Sequence, residues 1–93
     1  MKREYTALEL QAHILWKLYE GGNWSEKYTN YDEFKRRLSI VIKNNGKNVN
    51  RQVRELIKLR LVLSRKNART ISVNPYAMLT IKNLIREQLG FEL

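Results

Sequence analysis

The sequence predicts a mainly α-helical α+β domain with four helices and one small β-hairpin that precedes the last helix. Apolar residues recur at helical spacing in four segments, and between the third and fourth segments the spacing changes to the alternation typical of strands. With 93 residues, of which 43% are hydrophobic and 29% charged, the chain can form one modest hydrophobic core. We therefore expect a single domain over residues 1–93.

The first helix is predicted over residues 6–20. Leu8, Leu15 and Leu18 lie at helical spacing, and Gly21 ends the segment. Further apolar residues lie between them, so the apolar arc is wider than one contact face requires. We expect this helix to pack against two neighbouring elements.

The second helix is predicted over residues 30–44. Its start is marked by one of two capping pairs with the same spacing: Thr29 with Asp32, or Asn30 with Glu33. Tyr31 and Phe34 begin an apolar stripe at helical spacing, so Tyr31 is expected to pack in the core. Gly46 suits the left-handed backbone conformation that follows many helices.

The remaining elements follow after short turns. A third helix is predicted over residues 48–58 with Asn48 as its N-cap, because an Asn side chain can accept a hydrogen bond from a first-turn N–H. Alternating apolar residues predict a β-hairpin over residues 60–73, and its tip is basic. The last helix is predicted over residues 75–89, where Pro75 fills the first position because its missing N–H is not needed there.

Positive charge is concentrated in one part of the chain. Residues 35–69 hold twelve Lys and Arg residues and a single acid, Glu55, whereas the formal net charge of the whole chain is +9. A cluster of one sign repels itself and weakens the folded state unless an anionic partner neutralises it. On a helical wheel, the third helix has apolar residues on one side and basic residues on the other. We therefore expect a polyanion to bind this basic region.

The order of elements and one stretch of sequence resemble a known family. The segment VRELIKLRLVLSR, residues 53–65, and the succession helix, helix, short turn, helix, hairpin, helix are similar to winged helix-turn-helix domains of small archaeal, archaeal-viral and bacterial transcriptional regulators. The resemblance extends over residues 6–89. That family usually has glycine where Arg60 stands, so the turn before the hairpin is expected to differ in shape. The resemblance implies that the third helix is a recognition helix and the hairpin a wing.

The predicted function is sequence-specific binding of double-stranded DNA by a transcriptional regulator. An α-helix fits the major groove, where Arg can bind both acceptors of guanine, and Asn or Gln can pair with adenine. The candidate base-reading residues lie in the third helix: Asn48, Asn50, Arg51, Gln52 and Arg54. The candidate contacts to the DNA backbone flank them or lie in the wing: Lys43, Lys47, Lys58, Arg65, Lys66 and Arg69. The wing is expected to lie along the DNA backbone or in the minor groove.

The last helix carries a narrow apolar stripe whose partner the sequence leaves open. The stripe consists of four residues: Met78, Ile81, Ile85 and Leu89. Such spacing occurs both in helices that pack inside one chain and in helices that form dimer interfaces. In the resembling regulators, the first and last helices often form a two-fold interface, so a homodimer through these two helices is expected.

Three other binding functions compete with sequence-specific DNA binding. The main alternative is a winged helix that acts as a protein–protein adaptor and docks an acidic partner. RNA binding and non-specific coating of DNA are less favoured. Against RNA, the predicted strands lack the exposed aromatic pairs that stack single-stranded bases.

Enzyme activity, a metal and a cofactor are not expected. The chain has no cysteine, and its one histidine, His13, lies in a helical apolar pattern that predicts a partly buried, hydrogen-bonded side chain. No apolar run approaches the ~20 residues that span a membrane, and the first residues lack the apolar run of a signal peptide. We expect no membrane association and a cytoplasmic location, in the host cytoplasm if the protein is viral.

Overall fold

A computed structural model of the chain describes residues 5–40, 46–67 and 69–91. Within these residues the protein has an α+β fold, as predicted. The α-helices are α1 Ala7–Glu20, α2 Tyr31–Leu38, α3 Gly46–Lys58 and α4 Met78–Leu89, and a 3-10 helix, Pro75–Ala77, precedes α4. The strands are β1 Thr29–Asn30, β2 Val62–Arg65 and β3 Thr70–Val73. None of the helices in the described ranges is long and apolar enough to cross a membrane.

The N-termini of α1 and α2 are capped by side chains. In α1, the Thr6 hydroxyl accepts from the Glu9 N–H at 3.1 Å, and the Glu9 carboxylate accepts from the Thr6 N–H at 3.0 Å. This reciprocal pair satisfies two N–H groups that have no partner inside the helix. At α2, the Asn30 side chain accepts from the Glu33 N–H at 3.0 Å, so Asn30 provides the cap.

Two predicted helix boundaries are wrong. The second helix was expected over residues 30–44, but α2 ends at Leu38 and residues 39–40 form a turn; residues 41–45 lie outside the described residues. The Ser39 hydroxyl donates to the Arg36 carbonyl at 2.7 Å, a local bond that competes with helix continuation. The third helix begins at Gly46 rather than after Asn48. Asn48 therefore lies in the first turn of α3 and is not its N-cap. Asn is favoured at N-caps but also occurs inside helices, so residue type alone did not decide its position.

The sheet contains a strand that the sequence did not predict. β1 pairs antiparallel with β3, with Thr29 opposite Ile71, and β3 pairs antiparallel with β2 to form the hairpin predicted over residues 60–73. The strand order is β1-β3-β2. Two residues are too few to show an alternating pattern, which is why β1 was missed. β1 runs directly into α2, so the start of α2 lies beside the hairpin.

Arg60 forms a glycine-like turn between α3 and β2. Its φ of 61° is in the left-handed region. The Arg60 N–H donates to the Ile57 carbonyl and the Leu61 N–H donates to the Leu56 carbonyl, both at 3.0 Å, which is the bonding pattern of a Schellman helix end. The Asn74 amide donates to the Arg60 carbonyl at 2.8 Å and holds the turn against the end of β3. An unusual turn was expected because Arg replaces glycine; the backbone instead adopts the conformation that glycine favours.

The hydrophobic core surrounds α1. This helix contacts three elements, α4, α3 and β3, one more than the two expected from its wide apolar arc. The largest fully buried side chains come from these elements and from β2: Leu10, Ile14, Leu15, Leu18, Val49, Leu56, Val62, Ile71, Val73, Ile81 and Ile85. His13 is also buried, but its Nε2 has no hydrogen-bond partner among the described residues, contrary to the expected hydrogen-bonded histidine.

The two central residues of the α4 stripe lie in the core of the chain. Ile81 and Ile85 are 0% exposed and belong to the same core cluster as the α1 residues, and Met78 and Leu89 are partly buried against that cluster. The prediction that these four residues form a homodimer interface is therefore wrong for the two central ones. The spacing of the stripe was compatible both with packing inside the chain and with a dimer interface. Helix α1 covers the centre of the stripe because the apolar arc of α1 is wide enough to contact α3 and α4 together.

Candidate nucleic-acid interface

Helix α3 separates apolar and basic side chains onto opposite faces. Val49, Val53 and Leu56 are buried in the core. Four cationic side chains on the other side are exposed, and we call them the basic face: Lys47, Arg51, Arg54 and Lys58. They share one face because their spacing of three and four residues matches the helical period. Together with Asn50 and Glu55, they line a shallow, open groove.

The basic face carries far more positive than negative charge. Glu55 is its one acid and lies 3.7 Å from Lys58, in an exposed ion pair of the kind that contributes little to stability. Arg51 and Arg54 form no hydrogen bond or ion pair with any residue that the structure describes. Their guanidinium groups therefore remain available to an anionic ligand.

Gln52 does not belong to the exposed face, so its predicted base-reading role is wrong. Its side chain is buried, and its Oε1 accepts a hydrogen bond from Nε2 of Gln11 at 2.7 Å. Gln11 is buried on α1. The two amides satisfy each other across the contact between α1 and α3, because a buried polar group without a partner costs about 1 to 3 kcal/mol.

Asn50 lies at the edge of the basic face with its amide oxygen already bonded. The hydroxyl of Tyr31, at the start of α2, donates to Oδ1 of Asn50 at 2.5 Å. Burial is the largest cause that raises the pKa of Tyr31, to about 12, so this hydroxyl keeps its proton at neutral pH. Asn48, another predicted base reader, is partly exposed in the first turn of α3.

Tyr31 also connects α3 to the hairpin. Its backbone N–H donates to the carbonyl of Arg69 at 2.8 Å, just before β3 begins. Its ring lies 5.5 Å from the ammonium of Lys35. The start of α2, the base of the hairpin tip and the edge of α3 therefore meet at one residue. The place of Tyr31 in the apolar stripe favoured packing in the core over a phosphate contact; the tyrosine hydroxyl, which needs a polar partner when buried, was the signal that could have indicated more.

The hairpin cations differ in what they contact. Arg65 forms an exposed ion pair with Glu26 at 2.8 Å and lies 4.6 Å from the ring of Tyr28, so it contacts the loop before β1. Lys66 and Arg69 are exposed near the tip. Lys43, which was predicted to contact the DNA backbone, lies outside the described residues.

Comparisons of the chain with protein-family models, with curated proteins and with solved structures found no match. In the part of the chain that the structure describes, no group of three or more His, Asp or Glu side chains lies together in a way that could hold a metal ion.

Proposed function

We propose that the protein is a winged helix-turn-helix DNA-binding protein and acts as a sequence-specific transcriptional regulator. Helix α3 enters the major groove of double-stranded DNA, and the β2–β3 hairpin is the wing. One observation carries the proposal: the four cations of the basic face project from a helix whose other side is fixed in the core, directly before a hairpin with a basic tip.

The dimensions of α3 suit the major groove. Lys47 and Lys58 are eleven positions apart in the helix, which corresponds to about 16 Å along its axis. The major groove is about 12 Å wide and is bordered by phosphates on both sides. The two lysines near the helix ends can therefore bind phosphates, while Arg51 and Arg54 between them face the base edges.

The wing is held where it can bind the same duplex. Tyr31 bonds to both Arg69 and Asn50, so the base of the hairpin tip lies next to the edge of α3. Lys66 and Arg69 then bind phosphates beside the groove that α3 occupies. These contacts add affinity without sequence preference, because phosphates are the same at every base pair.

The proposal is tested by titrating a labelled random-sequence duplex at several salt concentrations. With about six phosphate contacts, the logarithm of the binding constant falls against the logarithm of salt concentration with a slope of about −5. A double-stranded RNA of the same length and poly-glutamate serve as competitors. The proposal predicts that only duplex DNA displaces the label at stoichiometric amounts. No binding at 50 mM salt would overturn it, and displacement by poly-glutamate as strong as by DNA would favour the adaptor.

A matched pair of variants locates the interface. Replacing Arg51 and Arg54 by Ala removes two cations from α3, whereas replacing Lys82 and Arg86 by Ala removes two from α4, which packs against α1. Both double variants lower the net charge equally. We expect the α3 variant to lose about tenfold or more in affinity and the α4 variant to bind nearly as the wild type does. Equal losses would show that net charge, and not the basic face, determines binding.

A further inference from the structure

We propose that the basic face of α3 selects guanine over adenine, because Tyr31 occupies the acceptor oxygen of Asn50, the amide that lines the α3 groove. This inference rests on the proposed DNA binding and specifies what the same site reads. It concerns the base pairs that Asn50, Arg51 and Arg54 face.

The two purines require different groups from a reader in the major groove. Guanine presents two acceptors, O6 and N7, so its reader must donate twice. Adenine presents the acceptor N7 and the donor N6, so its reader must donate once and accept once from the same side chain. Asn and Gln can do both, whereas the guanidinium of Arg has donors only.

Arg51 and Arg54 therefore match guanine and cannot pair bidentately with adenine. Both are exposed on α3 and form no hydrogen bond or ion pair with a described residue. Their planar fork of N–H groups fits two adjacent acceptors in one base plane. Each forms its full set of bonds only where a guanine lies opposite.

An asparagine in this position could ordinarily bind adenine, but Oδ1 of Asn50 already accepts a hydrogen bond from Tyr31. Bidentate pairing requires Oδ1 and Nδ2 to face the same base edge. The Tyr31 hydroxyl, 2.5 Å away on α2, donates to Oδ1 and so directs this oxygen towards α2. With Oδ1 directed towards Tyr31, the donor hydrogens of Nδ2 are the groups of Asn50 that we expect to meet the DNA, and they bind an acceptor. Tyr31 thus acts through Asn50 as a positioning residue and makes the face rich in donors.

The other two amides of α3 do not supply the missing acceptor at this position. Gln52 is buried with its oxygen bonded to Gln11. Asn48 lies on the same edge as Glu55, seven residues further on, and helical geometry places that edge on the other side of the basic face from Asn50. An adenine contact by Asn48 would fall at a different base pair.

Tyr31→Phe is the variant that tests the inference, with selection from a pool of random duplexes as the measurement. The wild type is expected to enrich guanine at two neighbouring positions. Tyr31→Phe releases Oδ1 of Asn50, and the ratio of affinities for adenine and guanine at one of these positions rises about tenfold. Tyr76→Phe, which removes a hydroxyl from a side chain that is 96% exposed, is the control and leaves the ratio unchanged. Circular dichroism and urea unfolding verify that each variant is folded.

A double variant separates positioning from a structural effect. In the Asn50→Ala background, Tyr31→Phe has no amide to release, so it leaves the base preference unchanged. Enrichment of adenine by the wild type overturns the inference, as does an unchanged preference in folded Tyr31→Phe. Binding without any base preference also overturns it, while DNA binding itself stands. Failure to bind any duplex overturns both the inference and the proposed function.

Discussion

The side-chain amide of Gln11 donates a 2.7 Å hydrogen bond to Oε1 of Gln52, and both residues are buried where α1 meets α3. This bond fixes one edge of α3 to the core helix, as the Tyr31 hydroxyl fixes the opposite edge to α2. Helix α3 is thus held on both sides of its basic face. The orientation in which it presents Arg51 and Arg54 is set before any ligand binds.

Gln52→Leu should destabilise the protein by about 1 to 3 kcal/mol, because the buried amide of Gln11 loses its partner. Changing both Gln11 and Gln52 to Leu should restore most of the stability, since no polar group then remains unpaired. Urea unfolding of the two single variants, the double variant and the wild type measures the coupling. Additive losses in the double variant would contradict the bond. Base preference should not change in the single variant, as Gln52 does not face the groove.

Arg60→Gly should stabilise the protein by about 0.5 to 1 kcal/mol. A side chain in the left-handed region costs about 1 to 2 kcal/mol, and the greater freedom of glycine in the unfolded chain offsets part of the gain. Arg51→Gly is the matched control, because the same substitution inside α3 should lower stability by about 1 kcal/mol. Thermal unfolding compares the two. A melting temperature that falls for Arg60→Gly would show that the Arg side chain stabilises the turn by a contact of its own.

Ile85→Ala should lower the free energy of unfolding by about 2 to 5 kcal/mol, since it opens a cavity in the core. Ile85→Val, with an expected loss of about 0.5 to 1.5 kcal/mol, remains measurable if the Ala variant does not fold. Leu79→Ala on the same helix changes a side chain that is 75% exposed and should have little effect. Light scattering of the wild type and Ile85→Val should give the same particle mass. A change of mass with unaltered stability would restore the dimer interpretation of this stripe.

His13 should make stability depend on pH. Burial, and secondarily Lys17, lowers the pKa of His13 below its ordinary value of 6.5, while Glu20 acts in the opposite direction. At pH values between the lower pKa of His13 in the folded protein and its higher pKa in the unfolded chain, the unfolded chain binds more protons. The free energy of unfolding therefore increases with pH in that range. We expect the free energy of unfolding to fall as pH decreases from 7.5 through 6.5 and below.

His13→Gln is the variant that isolates this effect, because glutamine does not titrate. Urea unfolding at pH 7.5 and at pH 5.5 should show a larger difference for the wild type than for the variant. Equal pH dependence in the two proteins would assign the effect to other groups.

The amphipathic character of α3 could be predicted from the sequence, because the helical period alone puts Arg51 and Arg54 opposite Val49 and Val53. The hairpin could be predicted as well, since alternation over several residues identifies strands. The strand β1 could not, because two residues carry no periodic pattern. The length of α2 was also overpredicted, since the Ser39 hydroxyl bond that accompanies its end is not visible in apolar spacing.

The sequence by itself determined the fold class and which cations share a face of α3, because these depend on the local period of the chain. Only the tertiary structure decided which polar groups on α3 are already occupied. Gln52 bonds to a residue 41 positions away, and Asn50 to one 19 positions away. A helical wheel gives the direction of a side chain but not the neighbour it meets, since that neighbour comes from a distant part of the chain. The apolar stripe on α4 is a third example. The sequence gives its spacing, and only the packing of α1 against α4 decided that its central residues are covered within the chain.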